Sequence, residues 1–290
     1  MKYTILDFNK QFPDNDTCLD HLFAALYTDA KCPNCERVGA YHRRKGSSHY
    51  VCACGQHSIS PKAGTIFEKS STDLVKWFFA IFLMSQSRNG VAAKEIERHT
   101  GVTYKTAWRM AKQVREIMKE NEHFLFGEVE IDETMIGGKK SGKRGRGAAG
   151  KTTVMGMLQR EGKLNTHVVE NVRAHTLMSH MESSIARNAD ILTDELKSYG
   201  KISRFLGFNH RTVNHSAKEY AKEDGTHTNT IESFWGQLKR SLSGTYHVVS
   251  PKYLSSYVSE FQFRRNHQGG NVHLFDLLLS RVACKQETRA

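Results

Sequence analysis

The sequence predicts an α/β protein: a mixed sheet with flanking helices, preceded by a cysteine-rich segment and a helical segment. Three observations carry this. Five of the six cysteines fall within the first 54 residues. A helical pattern of apolar residues follows, and beyond residue 122 strand-like and helix-like stretches alternate. The boundaries expected are 1–66 for the cysteine-rich region, 67–122 for the helical region, 123–270 for the α/β domain and 271–290 for a helical tail.

In the first segment, "CPNC" places Cys32 and Cys35 in one tight turn, and "YVCACGQH" follows with Cys52 and Cys54. Two cysteine pairs about sixteen residues apart suit one tetrahedral Zn²⁺, each turn giving two thiolates. The second pair is C-x-C, tighter than the usual spacing, so His57 or His49 could replace one sulfur. Cys18 and Cys284 stand alone and read as core or incidental thiols.

In the second segment, "AAKEIERHTGVTYKTAWRMAKQVREIMK" reads as helix, glycine turn, helix. Ile96 closes the first apolar face, Gly101 makes the turn and Thr103 is a good N-cap. The second helix repeats Ala107, Ala111, Val114 and Met118 on its inner face. Its outer face shows Tyr104, Lys105, Trp108, Arg109 and Lys112, the cations and aromatics that a helix reading a DNA groove needs. Upstream, "LVKWFFAIFLM" is expected to be the helix that supports the pair.

The third segment opens with "GEVEIDETMI", which alternates Val129 and Ile131 against Glu130 and Asp132. "KTTVMGMLQR" and "KLNTHVVENV" read as two more strands, joined around "EGK". "HTLMSHMESSIARN" reads as a helix. A short strand, Ile191 to Thr193, then ends in Asp194, with a helix expected to start at Glu195. The last helix, in "HTNTIESFWGQLKRSLSG", stacks Ile231, Trp235, Leu238 and Leu242 on one stripe. Beside that stripe run Glu232, Gly236 and Lys239.

The chain carries 42 Lys+Arg against 30 Asp+Glu, a formal charge of +12. That excess favours a phosphate-rich partner. It is concentrated in "KKSGKRGRGAAGK", residues 139–151, where Lys139, Lys140, Lys143, Arg144 and Arg146 stand among glycines, either in a plain linker or, as is expected here, as phosphate contacts. Against this background, strands ending in Asp132 and Asp194 bring two carboxylates together if they lie side by side, and a helix packed by its stripe brings Glu232 to the same place. Three such carboxylates repel unless cations lie among them, and Mg²⁺ (or Mn²⁺), as two ions, suits phosphoryl transfer there. Gly236 would let a sugar–phosphate backbone approach closely, and Lys239 would hold a phosphate. Each acid also has a plainer explanation: Glu232 in a capping box, Asp194 as a helix cap, Asp132 as an exposed strand end. No run approaches the ~20 apolar residues of a membrane span, and the N-terminus lacks the apolar region of a secretory signal, so a cytoplasmic protein is expected.

"CPNC", "GTIFEKSS", "GEVEIDETMIGGK", "TDELKSY", "VNHSAKEY" and "HTNTIESFWGQLKRSLSGTYHVVSPKYLSSYVSEFQFRRN" together resemble the transposases of the IS1595 family of bacterial insertion sequences, the ISXO2-like group. The resemblance implies a zinc-ribbon, a helix-turn-helix region and an RNase H-like catalytic domain of the DDE type. Its acids fall on Asp132, Asp194 and Glu232, and its basic residue on Lys239. Many relatives carry Asn where this chain has Glu232, and the family pattern leads one to expect C-x2-C where this chain has C-x-C. The implied activity is metal-dependent cleavage of DNA at the element's ends to free a 3′-hydroxyl, then transesterification into target DNA. A homodimer or larger complex on DNA, associated with the nucleoid, is the implied assembly. The rival readings are a non-catalytic DNA-binding regulator and a nuclease that cuts without joining.

Overall fold

The computed structural model describes residues 3–137, 151–202, 206–213, 222, 225–270 and 273–283. The chain divides into two compact units. One comprises Met1–Ser87, Val91–Ile117 and Gly270–Ala290; the other comprises Arg88–Gly90 and Met118–Gly269.

The first unit begins with α1 (Ile5–Gln11), closed at its N-terminus by a reciprocal Thr4–Asp7 capping box. Helix α2 (Asn15–Tyr27) follows, capped by Asp14, whose carboxylate accepts from the Thr17 N–H. A small antiparallel sheet runs β1 (Tyr41–Arg43), β2 (Tyr50–Cys52) and β3 (Ser58–Ile59) in that order. Helix α3 (Leu74–Gln86) buries Trp77, Phe78, Ala80 and Ile81, as a support helix must. Helices α4 (Ala93–Thr100) and α5 (Tyr104–Ile117) are joined through Gly101, which adopts the left-handed conformation (φ 68°) that terminates α4 at little steric cost. The Thr103 hydroxyl accepts the Thr106 N–H at 3.4 Å and starts α5. Ile96, Ala107, Ala111 and Val114 are all buried, so each helix shows the inner face that its sequence period predicts. Helix α9 (Leu274–Ser280) returns to this unit. Its Phe275 stacks on Tyr3 and meets Phe8, Phe12 and Phe82 edge-on.

The second unit is built on a five-stranded mixed sheet. Its strands are β4 (Glu128–Ile136), β5 (Thr152–Gln159), β6 (Leu164–Val169), β7 (Asp190–Thr193) and β8 (Asn209–Thr212), in the order β6-β5-β4-β7-β8. The first three form an antiparallel meander; β7 pairs parallel to β4, and β8 parallel to β7. Alternation splits the core in two. Val129, Ile131, Met155 and Met157 pack on one face with Leu177 and Met181 of α6 (Ala174–Ser184). Val154, Leu158 and Leu164 pack on the other with Ile231, Trp235, Leu238 and Leu242 of α7 (Asn229–Gly244), and with Leu254, Val258 and Phe261 of α8 (Pro251–Asn266).

One expected element differs. No helix starts at Glu195. The Asp194 carboxylate accepts the Leu196 N–H at 3.0 Å in a tight turn, and the chain reaches a 3₁₀ turn only at Tyr199–Lys201. The reason is Tyr199, which is buried beneath the sheet with its hydroxyl donating to Glu133 at 2.6 Å. A regular helix from residue 195 would compete with that placement.

Candidate active site

Strand β4 pairs with β7 in parallel, with Glu130 opposite Leu192. Continuing that register by two residues sets Asp132 beside Asp194, but β4 does not end at Asp132 as expected: its pairing with β5 carries it on to Ile136, so Asp132 stands midway along β4 while Asp194 lies just past the end of β7. Carboxylate oxygens of Asp132, Glu133 and Asp194 all lie within 4.8 Å of one another. Burial pushes the Asp132 carboxyl up to about 7, and the charges of Glu133, Asp194 and Glu232 push the same way. Its side chain is therefore held in a place that opposes its own ionisation.

Glu232 is exposed, on the first turn of α7. It lies outside the 4.8 Å group but close enough to act on Asp132. The Thr228 hydroxyl donates to its Oε1 at 3.0 Å. The helix begins at Asn229 with Thr228 as N-cap, so Glu232 is one residue past the position a capping box requires.

What seats α7 on the sheet is Gly156. It pairs with Asp132 across β4 and β5. A Cβ built there would come within 2.6 Å of the Trp235 ring and 2.9 Å of Ile231. Only a glycine lets the helix lie this close beside Asp132. Glu133, Tyr199, Thr228 and Gly156 were not anticipated from the sequence; the tandem acids in "IDET" were the one available signal. Gly236 is different, for a Cβ there would meet only the guanidinium end of Arg240 at 3.2 Å. Lys239 is exposed two turns beyond Glu232.

Residues 124–266 match the ISXO2-like transposase domain family. The chain carries an ISXO2-like transposase domain. The match spans β4 through α8, and so takes in Asp132, Asp194 and Glu232. An uncharacterized protein in transposable element ISH50 of Halobacterium salinarum is 27% identical, over 81% of this chain and 84% of that protein. An uncharacterized transposase-like protein of Haemophilus influenzae is 28% identical, over 36% of this chain and 82% of that protein. Among solved structures, the Mos1 strand transfer complex aligns over 72% of this chain and 77% of that chain, at 13% identity and a TM-score of 0.30, too distant to bear on activity.

Outside the transposase domain, the thiols of Cys32, Cys35, Cys52 and Cys54 converge. Cys32 Sγ lies 3.7 Å from Cys54 Sγ, and Cys35 Sγ lies 3.5 Å from Cys52 Sγ. All four sulfurs fall within 4.8 Å of one another. Although burial opposes it, the backbone N–H groups of Asn34 and Cys35 pull the Cys32 thiol down to about 6. His57 Nδ1 is 2.8 Å from the Tyr41 hydroxyl and His49 Nδ1 is 3.3 Å from the Ser47 hydroxyl, and neither ring belongs to the group of four thiols.

On α5, Tyr104, Lys105 and Arg109 are exposed. Lys112 is half-buried, with its ammonium 5.9 Å from the Trp108 ring centre. The basic stretch carrying Lys139, Lys140, Lys143, Arg144 and Arg146 lies outside the described residues. Among the described residues, no helix is long and apolar enough to cross a membrane.

Proposed function

We propose that this transposase cleaves phosphodiesters at the ends of its element and joins the freed 3′-hydroxyl to target DNA, using Asp132, Asp194 and Glu232 on an RNase H-like domain. The observation that carries this reading is the carboxylate group where Asp132, midway along β4, lies beside Asp194 at the end of the parallel β7, on a sheet whose first three strands form a meander, with α7 bringing Glu232 alongside. The strand order third-second-first-fourth-fifth suits the RNase H-like assignment.

The donor set fits divalent cations. It is all oxygen and all carboxylate, and burial beside other acids opposes the ionised form of Asp132, which a nearby positive charge would offset. Two Mg²⁺ or Mn²⁺ ions, when bound, would supply that charge, activate the attacking oxygen and stabilise the leaving one. The chain's own contribution is position. Thr228 orients Glu232 by a hydrogen bond, and Tyr199 holds Glu133 beneath the pair. Lys239 offers an ammonium to a phosphate on the same face of α7, and Gly236 leaves room for the DNA backbone, since among the described residues a Cβ there would meet only the end of the Arg240 side chain.

The cysteine tetrad fits one structural Zn²⁺. A tetrahedron with Zn–S bonds of about 2.3 Å has sulfur–sulfur edges of about 3.8 Å, against the 3.5 and 3.7 Å found. Tyr104, Lys105, Arg109 and Lys112 on α5, with the basic segment 139–151, would hold DNA; work on two element ends calls for a dimer or a larger assembly on DNA.

The test is Glu232→Gln, which keeps shape and removes charge. Binding to end DNA should survive, while cleavage and strand transfer with Mg²⁺ fall on the order of a hundredfold or more. Near wild-type cleavage would reduce Glu232 to a surface residue and defeat the assignment. A pre-cut end, supplied in the same assay, separates an enzyme that joins from one that only cuts.

A further inference from the structure

We infer that Glu130 is a positioning residue: from strand β4 its buried carboxylate caps helix α7, and so fixes Glu232 relative to Asp132. The inference rests on the active-site reading above.

A helix begins with backbone N–H groups that have no partner inside it, and usually the N-cap side chain supplies one. Here the N-cap Thr228 makes no capping bond; its hydroxyl is turned to Glu232 instead. The acceptor comes from another element. Glu130 Oε2 accepts the N–H of Thr230 and of Ile231, each at 3.0 Å, and Glu130 Oε1 accepts the Thr230 hydroxyl at 2.9 Å. Those N–H groups belong to the second and third residues of α7, the pair an N-cap normally serves. The negative charge also lies at the positive end of the helix dipole.

A carboxylate that is fully buried is costly unless it is paired and hydrogen-bonded. Arg160 meets that cost. Its Nε donates to Glu130 Oε1 at 3.1 Å, while its Nη2 donates to the carbonyls of Gly225 and His227 at 3.0 and 3.2 Å, in the segment that leads into α7. One carboxylate and one guanidinium thus tie both the entry segment and the first turn of the helix to β4.

The geometry links this anchor to the chemistry. Asp132 stands two residues beyond Glu130 on the same strand, hence on the same face and only about 7 Å along. Glu232 stands one residue beyond Ile231. A short rigid path, strand to carboxylate to helix turn, therefore sets the separation of two of the three acids. Displacement of reacting groups by about 1 Å can cost on the order of a hundredfold in rate.

The experiment compares the full chain with Glu130→Gln and Thr230→Val. The first neutralises the anchor and turns an NH₂ toward donors; the second removes a single bond and buries no new polar group. Amide hydrogen exchange, read without metal or DNA, should show lost protection at Thr230 and Ile231 while the β4–β5 ladder stays protected. Cleavage of end DNA by Glu130→Gln should fall on the order of a hundredfold, with unchanged KM for DNA and a higher half-saturating Mg²⁺ concentration. Thr230→Val should shift each quantity the same way by less, and carries the test should Glu130→Gln fail to fold. Wild-type protection at the two amides would overturn the inference, and so would lost activity with unchanged Mg²⁺ dependence. Glu232→Gln in the same series keeps the readings apart: wild-type cleavage there defeats the site assignment, whereas the amide result judges the cap alone.

Discussion

Without a cation, Asp132 should weaken the fold as pH rises, and Asp132→Asn should remove that weakness. The carboxyl stands at about 7 in the folded protein, against the 3.8 of an ordinary aspartate in the unfolded chain. Between those values the unfolded chain has lost the proton and the folded chain still holds it. Folded protein binds more protons there, so stability falls as pH rises from about 4 to about 7. About three pKa units at 1.36 kcal/mol each give about 4 kcal/mol, an upper figure because the side chain is partly exposed to solvent. The asparagine variant has no such dependence. Its stability relative to the parent should rise from near zero at pH 4 to as much as ~4 kcal/mol at pH 8, the full interval of Asp132 ionisation. The assay is urea denaturation in EDTA at several pH values. Because EDTA would also strip metal from the thiols, unfolding is best followed by hydrogen exchange of the β4 amides, and Mg²⁺ should then restore the parent selectively. A difference between parent and variant that stays constant from pH 5 to pH 8 would refute the reasoning.

Three further outcomes are expected. Gly156→Ala sets a methyl 2.6 Å from the Trp235 ring; it should cost about 1–3 kcal/mol by overpacking and abolish cleavage, and an unaltered rate would mean that α7 can shift without consequence. Metal analysis should find about one zinc per chain, lost in Cys35→Ser together with exchange protection in β1 and β2; a folded metal-free segment would defeat the assignment. Changing Arg109 and Lys112 together to Ala should lower affinity for end DNA and flatten the salt dependence by roughly one unit of slope per lost phosphate contact; an identical slope would leave α5 a structural helix.

The sequence disclosed those parts of the fold that follow from local periodicity. The four-three-four spacing of Ile231, Trp235, Leu238 and Leu242 defines α7, and all four side chains are buried. The alternation of "GEVEIDETMI" defines β4 and puts Val129 and Ile131 on the α6 face. What stayed hidden depends on partners distant in the chain. A glycine in a strand has no evident purpose until Trp235 lies on it. The alternation of β4 sets Glu130 only on the face opposite Val129 and Ile131, yet it is fully buried, because a helix from a hundred residues later lays its N-terminus on it. Tyr199 reads as part of a helix because nothing local shows that Glu133 will receive its hydroxyl. Buried polar pairs of this kind follow from topology, which no window of sequence contains.

The aromatic cluster around α3 carries a consequence for the order of synthesis. Phe8, Phe12 and Phe82 come early in the chain, while Phe275, which fills the space among them, comes in α9, after the entire transposase domain. A nascent chain stopped before Leu274 holds every residue of the α4–α5 pair and of the cysteine tetrad, but leaves that cluster open to water. Interrupted translation would therefore yield fragments that fold poorly in the part proposed to hold element ends, and on that proposal such fragments would compete weakly with finished protein for those ends.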